Sequence, residues 1–235
     1  MDLLPRALRL ALPYMHGHDV AEVQRLLDVD PDGVYGPITS GAVVAWKRSR
    51  GLDPSPVLSV ADRERLMADV PLLALRTMER WAARGLAEQP PGSDRVPELV
   101  ELAGRLEVAP EFGRMGYPWC AFAVFLAALA SGGETAAAGL RRREFNPLYT
   151  PAVLGAARAG AFGLHVIRVG DAFRGDLVLF DWNLAGGDPA DHVGRLAGAL
   201  ADGRVFTLDG NSGADGSIAS RERQFGSVRA FARDS

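Results

Sequence analysis

A single cysteine, Cys120, stands among 235 residues. No intramolecular disulfide is therefore possible, and the fold must be held by its core alone. A cationic excess is missing as well: Lys and Arg total 26, Asp and Glu 29, and the formal net charge is −3. Such a chain lacks the broad basic face that grips nucleic acid or an anionic bilayer, so neither is an expected partner. Long apolar runs are also absent. The longest, Cys120–Ala130, stops far short of the about 20 residues that span a bilayer, so membrane insertion is not expected. The opening Met1-Asp2-Leu3-Leu4-Pro5-Arg6 has no basic start, and Pro5, Arg6 and Arg9 interrupt its apolar character, unlike a secretory signal. The expectation is synthesis as a soluble cytoplasmic chain. There are no internal repeats and no low-complexity tract.

What remains is the composition of an ordinary globular protein. Hydrophobic residues make up 48% and charged residues 23%, enough apolar surface for a core and too little charge for general disorder. The length suits one large or two modest domains. Two textures divide it, residues 1–70 and residues 71–235.

Residues 1–70 read as three short helices. Asp19 is a candidate N-cap, and Val20, Val23, Leu26 and Leu27 recur at helical spacing. Asp30-Pro31-Asp32-Gly33 is a turn cluster. Pro37 suits the first turn of a second helix, which carries Val43, Val44, Trp46 and Lys47 and is closed by Gly51. Ser59 opens a third with Val60, Leu66 and Met67. Gly17-His18-Asp19-Val20, Gln24-Arg25-Leu26-Leu27, Asp32-Gly33-Val34-Tyr35-Gly36, Thr39, Ala42-Val43 and Gly51-Leu52 together resemble the three-helix type of peptidoglycan-binding domain. The resemblance implies a small three-helix bundle that holds the chain on bacterial peptidoglycan. Trp46-Lys47 departs from it, because an aromatic-Gln pair is usual there. Packing against a neighbour is the plainer role for such a module.

Residues 71–235 read as helices followed by strands. Helices are expected over 72–86, 96–106, 121–129 and 151–159. Short strands are expected over 165–169, 176–181, 192–197, 205–208 and 228–230, with a polar loop over 186–190. That order predicts an α+β domain with an antiparallel sheet.

The chemistry gathers around the cysteine. By count alone a lone Cys is a small buried hydrophobe. Cys120, however, follows Pro118-Trp119 and begins an apolar helix, where the helix dipole and unpaired N–H groups stabilise a thiolate. Its own N–H would face a developing oxyanion. His192, in Asp191-His192-Val193-Gly194, begins a strand and suits a general base, although a structural histidine is the commoner reading. A Cys–His pair also needs an acceptor for the second ring nitrogen, and either Asp209 or Asn211 can supply it. Trp119 and Trp182 are candidate substrate-stacking side chains, or else core. Cys120, His192 and Asp209 could instead hold zinc, but no HxxxH or CxxC pair accompanies them. No metal and no other cofactor is expected.

Tyr117-Pro118-Trp119-Cys120-Ala121-Phe122, Gly175-Asp176-Leu177-Val178-Leu179-Phe180, Asp191-His192-Val193-Gly194 and Asp209-Gly210-Asn211 are similar to the cysteine, histidine-dependent amidohydrolase/peptidase family, called CHAP. The resemblance implies a papain-like domain with helices packed on an antiparallel sheet, cleaving peptidoglycan amide bonds. It puts the nucleophile on Cys120 and the base on His192. The family's usual Glu falls on Asp209, and its Asn on Asn211. The whole chain then reads as a monomeric, endolysin-like peptidoglycan hydrolase of phage origin. It would be made in the host cytoplasm, released with the help of a holin, and act at the wall. The competing readings are a non-catalytic wall-binding protein and a papain-like protease acting on proteins.

Overall fold

The apolar run that begins at Cys120 becomes the central helix of the larger of two compact units. A computed structural model describes residues 6–182, 190–198 and 203–234, so most of the loop expected over 186–190 lies outside the described residues. The units are Met1–Asp69 and Val70–Ser235, divided beside the expected boundary. The chain as a whole is α+β, with helices and one antiparallel sheet.

The first unit carries α1 (His18–Leu27), α2 (Pro37–Ser49) and α3 (Val60–Met67). The expected cap at Asp19 is corrected, since Gly17 is the N-cap and Asp19 lies in the first turn. There its carboxylate accepts from Val20 N–H at 3.0 Å and from Arg6 Nε at 2.9 Å, so it neutralises the helix start from inside. Gln24 is buried and satisfied on both ends of its amide. Nε2 donates to Asp32, Val34 O and Thr39 at 2.8–3.0 Å, and Oε1 accepts from Gly33 N–H at 2.8 Å. One side chain thus ties the Asp32-Gly33-Val34 turn to α1. Lys47 is buried too, its Nζ 2.7 Å from Asp62 Oδ2 and 2.6 Å from Val57 O. The residue that departs from the family pattern therefore fastens α2 to the start of α3. Asp62 also completes a capping box with Ser59.

The second unit opens with α4 (Val70–Ala83), α5 (Pro97–Arg105), the short α6 (Pro110–Gly113) and α7 (Cys120–Ala130). Next come α8 (Glu134–Ala136), which runs into a π-helical turn at Ala137–Arg141, and α9 (Thr150–Ala159). The strands are β1 (His165–Ile167), β2 (Leu177–Phe180), β3 (His192–Leu196), β4 (Arg204–Ser212), β5 (Ser217–Gln224) and β6 (Val228–Arg233). They form one sheet in the order β1-β6-β2-β3-β4-β5, with every neighbouring pair antiparallel. α7 is apolar around its whole circumference and lies between α4 and the β3–β4 face of the sheet. In β2, Leu177 and Leu179 join the core around α7, while Val178 and Phe180 pack with Leu196, Val205 and Phe231 on the other face. Burial on both faces explains why this strand is an unbroken apolar run.

Strand β5 was not expected. Its residues, Ser-Ile-Ala-Ser-Arg-Glu-Arg-Gln, are polar because it is an edge strand with one wetted face. Pairing along β4 from Arg204↔Gln224 to Asp209↔Ala219 makes it a strand, and that is a non-local cause.

A buried ion pair clamps the sheet to α7. Arg195 of β3 donates to Asp234 at 2.7 and 3.0 Å, to Gly175 O at 2.7 Å and to Val124 O of α7 at 3.0 Å. Both side chains are fully buried. Removing one partner strands a buried charge, which costs about 3–5 kcal/mol. Asp234→Ala is expected to lower the urea-unfolding free energy by that amount. The double change Arg195→Met with Asp234→Leu should recover most of it, because no lone charge remains.

Candidate active site

The site is assembled from one helix end and two adjacent strands. Cys120 is the first residue of α7, and hydrogen bonds from the N–H groups of Ala121 and Val193 reach its sulfur. Burial pushes this thiol up. The hydrogen bond and charge of His192, with the two backbone N–H groups, outweigh burial and hold it below its ordinary value. His192 opens β3 opposite Phe180 of β2. Burial alone would lower its imidazole, but Asp209 and Cys120 oppose this and push it up to about 9. The two shifts have a common cause, since each group favours the charged form of the other: the ring stabilises a thiolate, and the sulfur stabilises an imidazolium.

Asp209 lies on β4 opposite Gly194 of β3, so His192 is its diagonal neighbour on the same face. Its Oδ2 is 3.0 Å from His192 Nε2, which leaves Nδ1 for the sulfur. The contact is an ion pair rather than a straight N–H···O bond, because among the described residues Nε2 has no well-angled acceptor. Burial raises the Asp209 carboxyl, but His192 and Arg223 more than offset this and keep it below the ordinary carboxylate range. The short Asp side chain reaches the ring because position 194 is glycine. A Cβ there would lie 2.0 Å from Asp209 Oδ1. Gly210 has a similar task, since a Cβ on it would lie 2.5 Å from Ala123 Cβ and hold β4 away from α7.

The structure brings Cys120, His192 and Asp209 together and leaves Asn211 aside. The β4–β5 register shifts between Asp209 and Ser212, and Asn211 adopts φ 51° in that bulge. Its Nδ2 meets Asp94 Oδ1 at 3.3 Å instead of the ring. Trp119 is corrected as a stacking residue. It is fully buried against α7 and donates Nε1–H to Glu88 Oε1 at 3.0 Å, so no sugar can lie on it. Trp182 is 47% exposed, 5.9 Å from the His192 ring and stacked on Phe180 at 4.9 Å. The three-residue zinc alternative does not suit this geometry. Sulfur, ring and carboxylate stand in series, and the described residues contain no cluster of three His, Cys, Asp or Glu able to hold an ion.

One residue of the site escaped the sequence reading. Arg223 of β5 grips Asp209 Oδ2 with Nη2 at 2.6 Å and Nε at 3.2 Å. The only signal was the alternation Arg221-Glu222-Arg223, which reads equally well as a solvated face.

Cys120 is 7% exposed and lines a groove of about 540 Å³. Tyr117, Pro118, Tyr149, Glu111 and Asp191 line its walls. Thr150, at the start of α9, donates to Ala190 O at 2.6 Å and ties one wall to the segment entering β3. No protein-family model, no curated protein and no solved structure matches the chain.

Two outcomes are expected. Gly194→Ala should leave the fold intact, because the backbone at 194 tolerates a side chain, but displace Asp209 and cut activity by about 100-fold or more. Circular dichroism beside a turnover assay checks this. Alkylation of Cys120 by iodoacetamide should set in below the pH of about 8.5 at which a free thiol ionises. If the ring serves as proton donor to a leaving group, turnover should fall as pH rises through about 9, where His192 loses its proton.

Proposed function

We propose that the chain is a peptidoglycan hydrolase that cuts an amide bond of the bacterial cell wall through a cysteine thioester. The observation that carries this reading is the series Cys120–His192–Asp209, whose first member lines an open groove while the other two stand buried behind it. In the reaction the thiolate attacks the amide carbonyl carbon and a C–S bond forms. The oxygen gains negative charge beside the first N–H groups of α7, which have no preceding helical turn to bond. His192 then gives its proton to the departing amine as the C–N bond breaks. Water, deprotonated by the now neutral ring, attacks the thioester and releases the carboxylate and the thiol. Asp209 keeps the ring oriented and favours its charged form.

The arrangement of a Cys-bearing helix on an antiparallel sheet, with His and acid on neighbouring strands, supports reading the second unit as a papain-like domain of the CHAP kind. In the first unit, the glycine turn tied down by Gln24 and the order of α1 to α3 support a three-helix peptidoglycan-binding bundle. On this reading the protein is endolysin-like and works as a monomer on the wall. Among the described residues no helix is long and apolar enough to cross a membrane.

Zymography on embedded cell walls tests the proposal. The unaltered chain should clear the wall, and Cys120→Ala should lose clearing by a factor of about 1,000 or more while still sedimenting with walls. Mass spectrometry of the fragments should show a newly exposed amine at the cut bond. Equal clearing by both proteins sinks the mechanism, and cleavage of casein without cleavage of walls favours a protease of proteins.

A further inference from the structure

Arg223 is the cation that shares Asp209 with the imidazole. It stands on β5 opposite Val205 and extends along the sheet to Asp209, where both of its contacts fall on Oδ2, the oxygen that faces His192. Its guanidinium carbon lies 5.0 Å from the Trp182 ring centre and 6.0 Å from that of Phe180. The side chain is only 25% exposed and is held on two sides. The groups around His192 are Cys120 from α7, Asp209 from β4, the rings of Phe180 and Trp182, and Arg223 behind the carboxylate. Asp191, next to His192 in the chain, turns Oδ2 to the Trp182 N–H at 2.7 Å, and Asp181 is buried just past β2.

We propose that Arg223 is a positioning residue of this site, fixing Asp209 for the ring and dividing the carboxylate's charge between two cations. A carboxylate devoted wholly to the imidazolium would hold its proton too firmly to release to a leaving amine. A guanidinium on the same oxygen weakens that hold and repels the ring's positive charge. Arginine does not titrate in the working range, so the correction is constant with pH. Its planar fork also prevents Asp209 from rotating away from the ring. The consequence for turnover rests on the hydrolase reading above, but the first measurement needs no substrate.

That measurement is the titration of His192 by NMR, followed on the imidazole Cε1 proton in the full chain. Arg223→Met should raise the midpoint by about one pH unit, a tenfold gain in proton affinity. Arg223→Lys keeps the charge without the fork and should leave the midpoint within a few tenths of a unit. In wall hydrolysis the Met variant should lose kcat by about tenfold with KM little changed. A midpoint that stays or falls in folded Arg223→Met overturns the proposal and leaves Arg223 a strut for β5. If the Met variant does not fold, Arg223→Gln carries the same expectation and decides. If the unaltered chain fails to cut walls, the hydrolase reading falls while the titration still judges Arg223.

Discussion

Everything at this site depends on a carboxylate crossing the space where residue 194 has no side chain. Asp209 is short, and its reach to His192 Nε2 at 3.0 Å exists because Gly194 leaves room for Oδ1. From that contact the charges follow in order. The carboxylate favours a protonated ring, the protonated ring favours a thiolate, and the thiolate sits where two backbone N–H groups meet it. Each link lies in a water-poor place, where unpaired charge is expensive and paired charge is strong. The links therefore stand or fall together.

Helix α7 reconciles two demands that usually conflict. A core helix should be dry, and on the hydrolase reading a nucleophile must meet its substrate. The conflict is resolved along the helix axis: residues Ala121–Leu129 fill the core, and only the first residue borders the groove. Burial of Cys120 by itself would keep the thiol neutral, so its reactivity is a property of its neighbours. The close approach of β4 at Gly210 and the clamp of Arg195 on Val124 O fix helix and strands to one another. Such fixation matters because catalytic contacts degrade over fractions of an ångström.

Much of this was legible from local chemistry. The apolar helix at 121–129, the strands over 176–181 and 192–197, and Ser59 as the start of a third helix follow from spacing and side-chain type. Residues that depend on partners distant in the chain were not. Trp119 read equally as a sugar platform or as core, and Glu88 holds it inside. Lys47 read only as a departure from the resembled pattern, and its burial against Asp62 and Val57 O could not be read locally. Arg223 carried no signal of its own, because its target lies on another strand.

The sequence by itself determined the α+β character, the division near residue 70, and the identities of the thiol, the imidazole and the acidic or amide candidates. These rest on periodicity and on which side chains can do acid–base and nucleophilic work, and both are local. Tertiary structure alone decided between Asp209 and Asn211, since one lies in register with Gly194 and the other is turned aside by a bulge. It alone drew Arg223 to Asp209 and withdrew Trp119 from the groove. The reason is physical: strand register and burial are set by contacts between distant segments, and no window of neighbouring residues contains them.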